Sequence, residues 1–324
     1  MEVIRAEALT KVYRRFEKGE GFMGSLKSVF VRRTLPVVAV DGFDLTVAAG
    51  EFVGLIGPNG AGKTTLTKML TGIVAPTSGE LRVLGHSPNK LEDDFKRRYA
   101  VVMGQRSGLF PDLSAEDAFL LMRRLYGVPE TAFRERVDYL VELFSARERL
   151  RVQVRTLSLG ERMKMELIAA LIHGPEVLFL DEPTLGLDAV MQRQVRAFLS
   201  RVNRDMGTTI LLTSHYIEDI RSLCPRCVVV SGGRKAYDGG TAALFDRYQT
   251  RRLITVRFSE DSDYLPGGVE LVERTPQTLK FLAPRQAAQQ VLRALLSAVE
   301  VSDIAVEEED IGSVVERIYG GGAR

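Results

Sequence analysis

Apolar and polar positions along the chain follow two alternating rhythms. Short apolar runs at residues 3–9, 52–56, 177–180, 209–212 and 227–230 have the length of buried strands. Between them lie helical stripes. Leu66, Met69, Leu70 and Ile73 stand at i, i+3, i+4 and i+7, one face of a helix. Met163, Leu167, Ala170 and Leu171 share a face of a helix predicted over 161–173. Further helices are predicted over 131–144 and 189–205. The pattern from Ser114 to about residue 150 is helical, and Ser114 with Asp117 resembles a cap ahead of the apolar run 118–121. Residues 10–13 extend the first strand, 41–53 resumes strand-like patterning, and 81–103 reads as two strands around the charged stretch 91–98. Strands alternating with helices predict an α/β fold with a mostly parallel sheet and ligands at the carboxyl ends of its strands.

The rhythm changes near residue 247. Beyond it the pattern gives strands over 253–258, 268–274, 277–283 and 300–306, and helices over 285–298 and 309–319. The expected organisation is therefore a large domain over 1–247 and a small α+β domain over 248–324, with a frayed glycine-rich end. One segment of the large domain stands apart. Residues 14–36 carry six basic residues (Arg14, Arg15, Lys18, Lys27, Arg32, Arg33) against Glu17 and Glu20. Phe22, Leu26, Val29 and Phe30 form an apolar helical stripe within it. Such a segment can pack on the domain's own core or lie at a membrane surface.

The stretch Gly57-Pro58-Asn59-Gly60-Ala61-Gly62-Lys63-Thr64-Thr65 is a complete phosphate-binding loop, set between a predicted strand and a predicted helix as that motif requires. Its glycines let backbone N–H groups curl around phosphate oxygens, and the dipole of the following helix adds to the attraction. Lys63 is expected to reach the β- and γ-phosphates, and the Thr64 hydroxyl to ligate Mg²⁺.

Composition narrows the classes. Of 324 residues, 45% are hydrophobic and 27% charged, as in ordinary globular proteins. A net charge of +2 supplies no global field toward nucleic acid, so none is expected as a partner. The first residues lack a signal peptide's apolar core, and no apolar run approaches the ~18 residues of a membrane span. The expected location is the cytoplasm, or the inner face of a membrane through partners. Cys224 and Cys227 form a C-x-x-C, which can be redox-active or half a zinc site. Cys227 enters the apolar run before Val228, and there is no second cysteine pair, so a structural role is favoured.

Asp181 and Glu182 end the apolar run 177–180. Adjacent carboxylates there are costly without partners or work. Asp181 is placed to hold Mg²⁺, and Glu182 to polarise an attacking water as general base.

Taken in order, the motifs resemble those of ATP-binding cassette (ABC) ATPases over residues 1 to about 245. Val177-Leu178-Phe179-Leu180-Asp181-Glu182-Pro183-Thr184 is similar to their Walker B motif, and Leu185-Gly186-Leu187-Asp188 to their D-loop. Leu157-Ser158-Leu159-Gly160-Glu161-Arg162 resembles the signature motif, with Leu159 and Glu161 in place of the common glycine and glutamine. His215 matches the switch histidine, Gln105 the Q-loop glutamine and Tyr13 the aromatic that stacks on adenine. The resemblance implies a P-loop NTPase fold with a mostly parallel core sheet, an antiparallel β subdomain and a helical subdomain at about 106–165. It also implies ATP and Mg²⁺ as cofactors, with Gln105 joining Thr64 and Asp181 at the metal. The resemblance implies as well that two copies sandwich two ATP molecules, with Ser158 and Gly160 binding the γ-phosphate held by the opposite subunit. Glu161 is expected to pair with Arg162 or Lys164.

One cassette, no membrane span and a small C-terminal domain match ATPases that pair with separate polytopic permeases. Residues 307–316, Leu159 and the basic insertion are similar to the export-type subgroup. The expected function is thus the ATP-hydrolysing subunit of an exporter, acting as a dimer with a second copy or a paralogue. An importer ATPase, a soluble ABC ATPase of translation or DNA maintenance, and a regulatory ATP-binding module are the other readings.

Overall fold

The computed structural model describes residues 1–16, 34–104, 107–214, 216–248 and 250–309. They fall into two compact units, Met1–Asp238 and Gly239–Arg324. The stripe of Phe22, Leu26, Val29 and Phe30, all but the first residue of the helix predicted over 309–319, Gln105 and His215 lie outside the described residues.

The first unit opens with two long antiparallel strands, β1 (Glu2–Phe16) and β2 (Thr34–Ala48). The strand pattern read over 41–53 is in fact two strands. Gly50, at φ +75, turns the chain between β2 and β3 (Phe52–Ile56), a conformation without steric penalty for glycine. Every residue of β3 is buried. Helix α1 (Lys63–Leu70) follows and buries Leu66, Met69 and Leu70 completely. Ile73 does not join them: the helix ends at Thr71 and Gly72, and Ile73 is 54% exposed.

Strand β4 (Ser78–Val83) pairs antiparallel with the other edge of β1. The charged stretch read as a connection contains helix α2 (Asp93–Arg98). Its acidic first turn and basic last turn suit the helix dipole, and Phe95 anchors it in the core. Strand β5 (Tyr99–Met103) follows. Helix α3 (Ala115–Tyr126) starts at the expected cap, where the Ser114 hydroxyl accepts the Asp117 N–H at 3.1 Å. Then come α4 (Glu130–Leu143), α5 (Leu159–Leu171), β6 (Val177–Asp181), α6 (Ala189–Met206), β7 (Thr209–Thr213), α7 (Ile217–Leu223), β8 (Arg226–Ser231) and β9 (Arg234–Gly240).

Among the described residues, this unit holds a small antiparallel sheet, β2-β1-β4, and a six-stranded sheet, β5-β6-β7-β3-β8-β9. The pairs from β5 through β8 are parallel. One apolar cluster joins Ile4 and Phe43 of the first sheet, Leu66 of α1, and Val53, Phe179 and Val228 of the second. Each such side chain contributes roughly 1.5–3 kcal/mol by leaving water. Register sets the site: Thr213 lies beside both Leu55 and Asp181, and Asp181 beside Met103. The carboxyl ends of four strands therefore line up at one edge.

The second unit contains α8 (Thr241–Tyr248), β10 (Arg251–Phe258), β11 (Glu270–Arg274), β12 (Thr278–Pro284), α9 (Ala288–Ala298) and β13 (Val301–Glu308). Its strands form an antiparallel sheet ordered β11-β12-β10-β13. Val291 and Leu295 of α9 cluster with Ile254, Val256, Leu279 and Phe281.

Candidate functional site

The phosphate loop joins the carboxyl end of β3 to α1, and packing dictates two of its glycines. A Cβ on Gly57 would lie 2.1 Å from the Val230 carbonyl oxygen. Gly62 has φ +109, and a Cβ there would lie 2.4 Å from the Ala39 carbonyl oxygen. Lys63 is buried, and its ammonium donates to the carbonyls of Gly57 (2.7 Å) and Pro58 (3.1 Å). Burial lowers its pKa, against the charges of Glu182 and Asp181, which raise it. A curled loop, a helix N-terminus and a desolvated cation together make an anion site.

Asp181 ends β6 opposite the start of α1. Thr64 Oγ1 donates to its Oδ2 at 3.1 Å, and Thr213 Oγ1 donates to its Oδ1 at 2.5 Å. The next residue, Glu182, has a left-handed backbone, φ +56. Its N–H donates to the Thr213 carbonyl at 3.0 Å and faces the Thr213 hydroxyl at 3.2 Å. Gly104 packs on this turn from β5: a Cβ there would lie 2.1 Å from the Glu182 carbonyl oxygen.

These residues surround a cleft of about 360 Å³, lined by residues 59–65 with Lys68, Gly104, Asp181 and Glu182. Tyr13, Ser158 and Gly160 are not part of its lining. Tyr13 is 38% exposed on β1, with the Lys11 ammonium 5.3 Å from its ring centroid. An exposed ring on a strand is available for stacking.

Ser158 is the N-cap of α5. It takes part in a capping box: its hydroxyl accepts the Glu161 N–H at 3.3 Å, and the Glu161 carboxylate accepts the Ser158 N–H at 2.9 Å. Glu161 pairs with Arg149 at 2.7 Å rather than with Arg162 or Lys164. Arg162 instead lies 3.8 Å from Glu166, and Lys164 donates to the Phe144 carbonyl. The capping box turns the Glu161 carboxylate toward Ser158, and those hydrogen bonds hold its pKa below the ordinary value. Gly160 packs under α6: a Cβ there would lie 2.7 Å from Met191 Cε, so the Met191 side chain would have to shift. Asp188, in the D-loop segment, caps α6 through the N–H groups of Val190 and Met191, both at 2.9 Å.

Sequence reasoning missed Thr213, Thr184, Arg196 and Asp219. Thr213 carried a signal, being the polar end of an apolar strand. Asp219 carried none, because its partners come from three separate segments. Cys224 and Cys227 are buried and not joined in a disulfide, and burial pushes the Cys224 thiol well up. That is the opposite of what thiolate chemistry needs.

The donors at the cleft also fit a divalent metal. Thr64 and Asp181 offer hard oxygens, the set suited to Mg²⁺. Among the described residues no group of three His, Cys, Asp or Glu converges on a metal-sized point. A cation held by this hydroxyl and carboxylate would take its other ligands from phosphate and water, the habit of Mg²⁺.

A family model described as ABC transporter matches residues 40–185. The daunorubicin resistance ATP-binding protein DrrA3 of Streptomyces coeruleorubidus is 35% identical over 301 residues, covering 87% of this chain and 91% of that protein. The Nod factor export ATP-binding protein I of Cupriavidus metallidurans is 38% identical over 213 residues, covering 64% of this chain and 68% of its own length. Among solved structures, a dimeric ATP-binding cassette in a post-hydrolysis state, bound to ADP and Pi, aligns with a TM-score of 0.60 at 22% identity. It covers 74% of this chain and 98% of that one, a likeness of fold.

Proposed function

The chain belongs to the ABC transporter ATP-binding family, and from that premise we propose that it drives substrate export through separate polytopic permease subunits. It is an ATPase, and subunits of this family act as dimers with membrane permeases. The carrying observation is one cleft that holds the Lys63 ammonium, the Thr64–Asp181 pair and the Glu182 turn. No helix among the described residues is long and apolar enough to cross a membrane, so the substrate path would be built by the permease.

In this reading residues 1–247 are the cassette and 248–324 an accessory domain. Tyr13 stacks on adenine. The N–H groups of residues 59–65 and the Lys63 ammonium hold the phosphates. Thr64, Asp181 and Gln105 hold Mg²⁺, which when bound neutralises charge on the phosphoryl oxygens. Glu182 orients and deprotonates the attacking water, and His215 stabilises charge on the transferring group. Ser158 and Gly160 present a hydroxyl, an N–H and the α5 dipole to the γ-phosphate on the partner copy. Closure of the two copies excludes water from both sites.

Export as the direction is supported by the relative named for Nod factor export. The test is purification in mild detergent from the membranes of cells that make the protein naturally. A stable complex with a polytopic membrane protein, whose presence changes ATP turnover, is the expected result. Recovery only as a free protein on ribosomes or DNA would overturn the transport reading.

A further inference from the structure

We propose that Asp219, on α7, is a positioning residue for hydrolysis: its carboxylate holds the turn that carries Glu182 against the segment beginning at Ser214. Asp219 is fully buried. Both of its oxygens are engaged. Oδ2 accepts from the hydroxyls of Thr184 and Ser214, the latter at 2.9 Å, and Oδ1 accepts from Arg196 Nη1 at 2.9 Å. Thr184 and Ser214 are themselves buried, and Arg196 is 14% exposed. A carboxylate withdrawn from water is tolerated only with such partners.

What the carboxylate joins gives it a role beyond packing. Thr184 lies two residues after Glu182, inside a turn closed by Leu185 N–H to the Glu182 carbonyl (3.2 Å) and Leu187 N–H to the Thr184 carbonyl (3.2 Å). Glu182 is fixed at the near side by Thr213. Thr184 anchors that turn to Asp219, and Arg196 ties the same carboxylate to α6, the helix that Asp188 caps. Ser214 closes the triangle from the end of β7, and its hydroxyl also accepts the Tyr216 N–H at 3.0 Å. The carboxylate thus ties together the segments that follow β6 and β7, the first of which lines the cleft through Asp181 and Glu182. Displacement of a reacting group by about 1 Å can cost 10²-fold in rate.

The inference rests on the role given to Glu182, and the experiment separates the two. Steady-state ATP hydrolysis and equilibrium ATP binding are measured on purified, folded Thr184→Val, Thr184→Ser, Ser214→Ala, Asp219→Asn and Glu182→Gln, with thermal melting of each. Thr184→Val and Asp219→Asn are expected to lower kcat about tenfold or more at a KM within about twofold of wild type. Thr184→Ser, which keeps the hydroxyl, is expected to restore kcat. A fall in melting temperature with kcat unchanged in the folded protein would reduce Asp219 to a structural residue and overturn the proposal. Loss of turnover in Glu182→Gln without loss in Thr184→Val also overturns it, and full turnover in both overturns the role of Glu182 as well. Should Asp219→Asn not fold, Thr184→Val and Ser214→Ala decide the matter alone, since each removes one donor and leaves the Arg196 pair.

Discussion

Thr64 Oγ1 lies 3.1 Å from Asp181 Oδ2, joining the second residue of α1 to the last residue of β6 across 117 positions of sequence. The hydroxyl and the carboxylate meet because β3 and β6 both flank β7, in a register that ends all three strands together.

Glu182→Gln should leave ATP binding intact and lower hydrolysis by at least ~10²-fold, the usual contribution of a positioned general base. The amide keeps the size and backbone preference of the glutamate while Lys63 and Asp181 remain. ATP should then hold two copies together, read as a shift to dimer in size-exclusion chromatography. Turnover near wild type would refute the assignment.

Lys63→Ala should weaken ATP binding itself, because the loop loses its buried cation. Ser158→Asp should keep the fold, since aspartate caps helices as well as serine does. Its charge would face the partner's γ-phosphate and suppress hydrolysis. Mixing the two variants gives heterodimers with one intact composite site, so partial recovery of activity is expected. Heterodimers demonstrated by pull-down yet fully inactive would argue against the sandwich.

Glu161→Gln should leave turnover close to wild type. The carboxylate serves the α5 cap and Arg149, not the phosphate cleft. Glutamine can still close the capping box, so the cost should be a small loss of stability, between a few tenths and about 1 kcal/mol, for the charge lost at the α5 N-terminus and beside Arg149, measured by urea unfolding. A large drop in kcat with unchanged stability would place Glu161 in the chemistry instead.

His173 gives the protein a pH-dependent stability. Its ring stacks on Tyr126 with centroids 3.9 Å apart, and Nε2–H donates to the Tyr99 carbonyl at 3.1 Å. Nδ1 is buried with no hydrogen-bond partner among the described residues, and burial pulls the pKa down from 6.5 to about 4. The folded state therefore favours the neutral ring. Its contribution is complete above pH 6.5 and is lost as pH falls toward about 4, where the unfolded chain binds the extra proton. The whole effect is at most about 3 kcal/mol. Urea unfolding between pH 7 and 4 should show a steeper loss in wild type than in His173→Gln, and equal slopes would disprove it.

The phosphate loop and the carboxylates ending β6 were legible because their chemistry sits in contiguous residues. So was the Ser114 cap, a three-residue relationship. Ile73 misled because periodicity does not show where Gly72 ends a helix. Glu161 was assigned partners in its own helix, whereas the capping box aims its carboxylate back toward Arg149, twelve positions earlier. Asp219 was silent for a stronger reason. Its donors lie on the β6 turn, the β7 end and α6, and only the folded sheet brings those segments together.

Glu182 holds a backbone conformation that glycine or asparagine would adopt more readily. Left to folding alone, selection would replace it, and Glu182→Gly should give a protein that melts no lower, or higher, while doing no work. The glutamate persists against the preference of its own main chain, so random substitution here trades turnover for durability. A search for hyperstable variants of this ATPase would find its inactive forms first.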